Sequence, residues 1–118
     1  MAGNDVNFED LYKKVCENND AEAFNTIKDA AEKGNADALY SLGNCYYVGN
    51  GIEKDRTEAV KCYLGAAELG NGPAQFALAV CYYMGDGVKR SFPDYEKWMR
   101  EAEKKGLVCQ GERPRYYI

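Results

Sequence analysis

The groups in this 118-residue chain able to do chemistry are five cysteines, at positions 16, 45, 62, 81 and 109, and two glycine loops, YYVGNGI at 46–52 and YYMGDGV at 82–88. Cysteine serves as a metal ligand or as a nucleophile. Zinc and redox sites use paired cysteines of the C-x-x-C kind, and no such pair occurs here. A nucleophilic thiol needs a base or a cationic neighbour to lower its pKa. Histidine is absent, which removes Ser-His-Asp and Cys-His triads and every His-ligated metal site. A small cysteine-dependent hydrolase or amide-binding enzyme using Cys45 or Cys81 is the reading from the enzyme class, and it lacks an adjacent lysine. Reduced thiols in a core are the expected role of Cys16, Cys45, Cys62, Cys81 and Cys109.

A glycine loop ahead of a helix can cradle phosphate on free amides. In this chain Asp55 and Glu58 supply negative charge at that point and no G-K-[ST] follows, which opposes phosphate. GDGVKRSFPDYE lacks the alternating acidic ligands of a calcium loop, so Asp86 reads as a turn residue. No catalytic residue, metal or cofactor is expected.

The elements that position these groups come from a repeat. A shift of 36 residues aligns 35–70 with 71–106 without a gap, and eleven positions are identical. They include Asn35/Asn71, Ala38/Ala74, Leu42/Leu78, Cys45/Cys81, Tyr46/Tyr82, Tyr47/Tyr83, Gly49/Gly85, Gly51/Gly87 and Gly70/Gly106. Ala38, Leu42 and Tyr46 fall at i, i+4, i+8, as do Ala74, Leu78 and Tyr82, so each unit opens with a helix that buries this face. Tyr46 and Tyr82 are core by this pattern. Glycines 49 and 51, and 85 and 87, end the helix and let Ile52 or Val88 turn into the core. Asp55 with Glu58 reads as a capping box for the second helix; Ser91 caps it in the later copy with Pro93 in the first turn. Upstream, AEAFNTIKDAAEKG ends at Gly34, with Ala23, Ala30 and Ala31 matching Ala59, Ala66 and Ala67, and Asn19 and Glu22 at the Asp55 and Glu58 positions. Residues 8–18 are then a divergent first helix on a shorter loop, and 8–34 a divergent first pair.

A-x-x-x-L-G-x-x-Y-x-x-G-x-G-[IV], then D-x-x-x-A and A-A-x-x-G, carried by Ala38, Leu42, Gly43, Tyr46, Gly49, Gly51, Ile52, Asp55, Ala59, Tyr63, Ala66, Ala67 and Gly70, resembles the SEL-one-like repeat, a relative of the tetratricopeptide repeat. The later copy departs at Ala79, Tyr95, Met99 and Glu103, where a following repeat would pack, so it is expected to end the stack. The expected fold is all-α: a single-domain solenoid, an α-α superhelix of three antiparallel helix pairs (8–34, 35–70 and 71–106) with a tail at 107–118. Disulfide-stapled secreted relatives are also implied by the resemblance, and Cys45 and Cys62 could approach across one hairpin.

The resemblance implies that first-helix residues turned away from the core line a concave surface that grips peptides. Asp37, Tyr40, Asn44, Tyr47 and Val48 form such a stripe, turned about 100° from the core stripe. Pro73, Phe76, Val80, Tyr83 and Met84 repeat it. Aromatic rings and methionine suit partner contact, so Tyr40, Tyr47, Phe76, Tyr83 and Met84 are the expected anchors, Asp37 and Asn44 the polar selectors, and Val48 and Val80 flanking contacts. Internal packing of the superhelix, or a tail folded over the stripe, is the competing use of the same residues.

Composition sets the remaining bounds. Hydrophobic residues make up 46% of the chain and charged ones 29%, which argues against disorder, and no apolar run approaches the roughly 20 residues of a membrane span. MAGNDVNFEDLYKK has neither a basic start nor an apolar core, so a cytoplasmic setting is expected. A net charge of -4 disfavours nucleic acid as partner. Residues 1–70 carry thirteen acids and seven bases, residues 71–118 six and eight, which points to head-to-tail association or an acidic partner, with a self-assembling unit as a third possibility. The leading expectation is a non-catalytic interaction scaffold or adaptor for a peptide or protein segment.

Overall fold

Each helix starts where a short polar side chain takes one of the backbone amides that have no partner inside the helix. Asn7 accepts from the Asp10 amide, Asp20 from Ala23, Asn35 from Ala38, Asp55 from Glu58, Asn71 from Ala74 and Ser91 from Asp94. In the computed structural model, which describes residues 7–106, the resulting helices are α1 (Phe8–Asn18), α2 (Ala21–Glu32), α3 (Ala36–Val48), α4 (Arg56–Glu68), α5 (Gly72–Met84) and α6 (Phe92–Lys104). Two expected caps differ in detail. The Glu58 carboxylate pairs with Lys61 at 3.2 Å, so only the Asp55 half of the box is made. At α2 the cap is Asp20; Asn19 closes α1 in the left-handed region at φ 53°, because a two-residue link leaves one position to stop a helix and one to start the next.

The glycine loops divide their two glycines between two tasks. Gly49 and Gly85 adopt φ 89° and 69° and stop α3 and α5, their amides donating to the Cys45 and Cys81 carbonyls at 2.8 Å. The cap residue of the next helix then ties the loop back: the Asp55 amide donates to the Tyr46 carbonyl at 2.9 Å and the Ser91 amide to the Tyr82 carbonyl at 3.1 Å. Gly51 and Gly87 do not stop the helices. A Cβ at Gly51 would meet Phe24 and Val15 of the preceding pair at 3.0 Å, and one at Gly87 would run into the Arg56 backbone carbonyl. The second glycine is where each hairpin loop lies against the pair before it.

Successive helices pack in sequence, and α1 also touches α3. One core joins Val15, Phe24 and Ile27 to Leu42 and Cys45; a second joins Tyr63, Leu78, Tyr95, Trp98 and Met99; Leu39 and Tyr46 pack against both. Ile52 and Val88 pack against these cores as expected. Alanines at the crossings, Ala38, Ala59, Ala66, Ala74, Ala79 and Ala102, are fully buried and let the helices approach closely. Gly43 goes further, because the Tyr63 ring lies across it. In the later copy Ala79 stands where Gly43 does and the buried Met99 replaces that ring. The departures at Tyr95 and Met99, expected on an open end face, are instead buried in the second core. A flexible thioether and a ring fill the room that the ring of Tyr63 fills one repeat earlier.

The fold is an all-α, solenoid-like stack of three antiparallel pairs. Among the described residues no helix is long and apolar enough to cross a membrane. The expectations for Cys109 and for the tail at 107–118 fall outside the described residues.

Candidate functional site

The N-terminal turns of α1, α3 and α5 open onto one groove of about 680 Å³. Helix α3 supplies Asp37, Tyr40, Ser41 and Asn44; α1 with its cap supplies Asn7, Phe8, Glu9 and Tyr12; α5 with its cap supplies Asn71 and Pro73. Its walls are fixed by bonds between helices. The Ser41 hydroxyl donates to the Phe8 carbonyl at 3.5 Å, Asn71 Nδ2 donates to Asp37 Oδ1 at 2.8 Å, and the Tyr63 hydroxyl of α4 donates to Asn44 Oδ1. Tyr40 leans on Tyr63, ring centroids 5.9 Å apart. Burial raises the Tyr63 pKa, so the phenol stays a donor and Asn44 is held with its Nδ2 left over.

Three of the nine expected contact residues, Asp37, Tyr40 and Asn44, meet in this groove; the others do not. Tyr47 is engaged inside the protein. Its hydroxyl donates to Asp86 Oδ2 at 2.6 Å, the Arg56 guanidinium lies 3.9 Å from its ring centroid and reaches both Asp86 oxygens at 2.7 and 2.8 Å, and Arg56 Nε donates to the Tyr47 carbonyl. A planar guanidinium that stacks on a ring while Nη1 meets the carboxylate and Nε meets a carbonyl uses what lysine lacks. This three-residue lock ties α3 and α4 to the glycine loop of the next repeat. Val48 is 56% exposed beyond it. In the later copy Phe92 replaces Arg56, and Tyr83 packs on Phe92 and Tyr95 at 5.7 and 5.2 Å. Phe76 and Met84 are 36% and 63% exposed and Val80 is half-buried; none lines the groove.

The lock has a pH signature. The hydrogen bond from Tyr47 comes first and the Arg56 contacts next in holding the Asp86 carboxyl below its ordinary 3.8. Its contribution to stability is therefore complete above that range and is lost as pH falls through it to the lower folded-state value. The same bond, with burial second, raises Tyr47 above 10.0, so on the alkaline side the contribution is present below that value and is lost as pH rises past it. Tyr47→Phe is expected to cost about 1 kcal/mol in urea melts at pH 7. The gap from wild type should shrink at pH 3.

The α1 contribution to the groove was missed by reading 8–18 only as a divergent helix. A shift of 28 residues, not 36, aligns Asn7, Glu9 and Tyr12 with Asn35, Asp37 and Tyr40. The shorter first pair hides the match from a fixed 36-residue period. With Asn71, Pro73 and Phe76 as the third occurrence, the pattern N-x-[acid]-x-x-Y is kept twice and then lost.

The thiols lie elsewhere. Cys45, Cys62 and Cys81 are buried and free, and Cys16 is exposed and free. Burial pushes Cys45 up to about 12 and Cys62 and Cys81 up to about 11, the opposite of what a nucleophile needs. Among the described residues no group of His, Cys, Asp or Glu could hold a metal ion.

With this geometry in hand, comparison with known proteins is specific. The family model for the Sel1 repeat matches residues 36–71 and 72–107, the same 36-residue period one position later than the frame read from the sequence. Among solved structures, c5321, a protective antigen present in uropathogenic Escherichia coli strains that displays an SLR fold, is similar at 37% identity and TM-score 0.71, over 73% of this chain. A Sel1 repeat protein from Oxalobacter formigenes is similar at 33% identity and TM-score 0.70 over 71%. Helicobacter pylori cysteine rich protein B shares the fold at 23% identity and TM-score 0.68, over 88% of this chain and 94% of that one. The chain spans only 18% and 35% of the first two proteins. Comparison with curated protein sequences gave no significant match. Two matched repeats covering more than half of the residues establish that the chain belongs to the Sel1 repeat family.

Proposed function

We propose that the chain is a non-catalytic binding module that takes a peptide or protein segment along the groove between α1, α3 and α5. The observation that carries this reading is the convergence of Asp37, Tyr40 and Asn44 with Asn7, Glu9 and Tyr12 on one concave surface. Tyrosine rings offer contact area at small rotamer cost, and asparagine amides can hydrogen-bond a peptide backbone. Stacked helix pairs are stabilised by their neighbours, which frees the first-helix face for recognition. Tyr40 and Asn44 replace Tyr47 and Tyr83 as the residues to test, because the latter two are engaged in internal packing. Affinity capture with the wild type and with Tyr40→Ala/Asn44→Ala is expected to lose the partner in the variant while its helical circular dichroism persists. A partner retained by the folded double variant would place binding elsewhere.

The cysteine-enzyme reading is opposed by the raised pKa values at Cys45 and Cys81. Site-resolved alkylation at pH 7 is expected to modify Cys16 rapidly and Cys45, Cys62 and Cys81 slowly in the folded protein; fast labelling of Cys45 or Cys81 would restore it. A reducing, cytoplasmic setting belongs to the same proposal and is supported by the free thiols. Self-assembly is the remaining reading, supported by the unequal charge of the two halves. Sedimentation across concentration and salt separates it from a monomeric adaptor.

A further inference from the structure

Resting on that groove reading, we infer that the occupant is an extended peptide segment bearing two basic side chains about three residues apart. The charged side chains lining the groove are Glu9 and Asp37, and among the described residues no lysine or arginine lines it. Both carboxylates are exposed, so neither is used up by burial in a pair. One oxygen of Asp37 accepts from Asn71, which orients the carboxylate and leaves the other oxygen for a cation.

The two acids are not a chance cluster. Glu9 precedes Tyr12 and Asp37 precedes Tyr40 by three residues, one helical turn, so each carboxylate stands beside a tyrosine ring on its own helix. A carboxylate next to an aromatic face suits a guanidinium or ammonium that pairs with one and stacks on the other. The Tyr47–Arg56–Asp86 lock shows the same chemistry within this chain: a guanidinium over a tyrosine ring and paired through Nη1 with an aspartate.

Spacing follows from the helices. Helices α1 and α3 are in contact, and packed helices lie roughly 8–10 Å apart. A polyproline II segment, the extended form with three residues per turn, advances about 3.1 Å per residue, so side chains at i and i+3 share one face about 9 Å apart. The pattern is therefore basic-x-x-basic. Backbone carbonyls between the two cations would meet Asn7 and Asn44, whose Oδ1 atoms are taken by the Asp10 amide and the Tyr63 hydroxyl, so that their Nδ2 groups are the donors available. Pro73 and Phe76, where the third copy would carry its acid and tyrosine, end the acidic ladder after two rungs.

The test is selection from a random heptapeptide display library on the full chain, followed by affinities of the selected peptides by fluorescence anisotropy. The expected result is enrichment of Arg or Lys at positions i and i+3. Glu9→Gln/Asp37→Asn should weaken the selected peptides tenfold or more with an unchanged helical spectrum, and Glu9→Lys/Asp37→Lys should select acidic peptides instead. Peptides that lose binding to Tyr40→Ala/Asn44→Ala but show no basic enrichment, or bind Glu9→Gln/Asp37→Asn as well as wild type, overturn the cationic inference and leave the groove standing. Peptides indifferent to all these variants overturn both.

Discussion

Gly87→Ala is expected to destabilise the protein by about 3 kcal/mol, lowering the urea midpoint more than any other single glycine-to-alanine change in the described chain. Two effects add at this position. The backbone is left-handed at φ 77°, which costs an L-residue about 1–2 kcal/mol. The new methyl group would also run into the Arg56 carbonyl, a backbone atom at the start of α4 that cannot rotate away, and such overpacking costs about 1–3 kcal/mol. Gly70→Ala is the control. It has φ 94° and nothing within 4 Å of the added Cβ, so it should show the backbone term alone. Equal costs at the two positions would mean that the 85–87 loop does not rest on α4. Because Asp86 sits in that loop, Gly87→Ala should also weaken the Tyr47–Arg56–Asp86 lock, and the effect of Tyr47→Phe should shrink in its background.

The second large effect is a coupling. A Cβ at Gly43 would stand 2.8 Å from two ring carbons of Tyr63. Gly43→Ala gains about 1 kcal/mol in helix propensity and forces the ring from its place, for a net loss of about 1–2 kcal/mol. Tyr63→Met alone gives up the ring and the hydroxyl bond to Asn44, and should cost a similar amount. Together the two changes recreate the pair that the next repeat already uses, Ala79 with Met99, both fully buried. The double variant is expected to be more stable than the sum of the single effects by about 1 kcal/mol or more. Strict additivity in a urea double-mutant cycle would contradict the contact.

These two sites also mark what the sequence makes legible. The 36-residue shift, the Ala-x-x-x-Leu-x-x-x-Tyr stripes and the polar caps are local signals, and each helix they imply is present because caps and periodicity act within one or two turns. The roles of Gly51 and Gly87 were not legible, since both read as helix stops until the neighbouring pair is placed against them. The internal contacts of Tyr47 were not legible for the same reason. Its position on a turned stripe is visible, but Asp86 lies 39 residues away and Arg56 in the next helix, and only the stacked hairpins bring the three together. Asp37, Tyr40 and Asn44 were placed together on one face because they lie on the first helix of an undistorted repeat. Asn7, Glu9 and Tyr12 were not, because the shortened first pair moves them out of the 36-residue register while leaving them in the same place on the groove wall.

Recognition, as we propose it, occurs on the faces of α1, α3 and α5 that line the groove. Its most direct test is an amide ¹H–¹⁵N titration of the labelled chain with a display-selected peptide. Shifts concentrated at residues 7–12, 37–44 and 71–73, with little change around Val48, Met84 and Phe92, are the result expected. A peptide that binds and moves the resonances of Tyr83, Met84 and Phe92 while leaving Glu9, Asp37 and Tyr40 in place would contradict it.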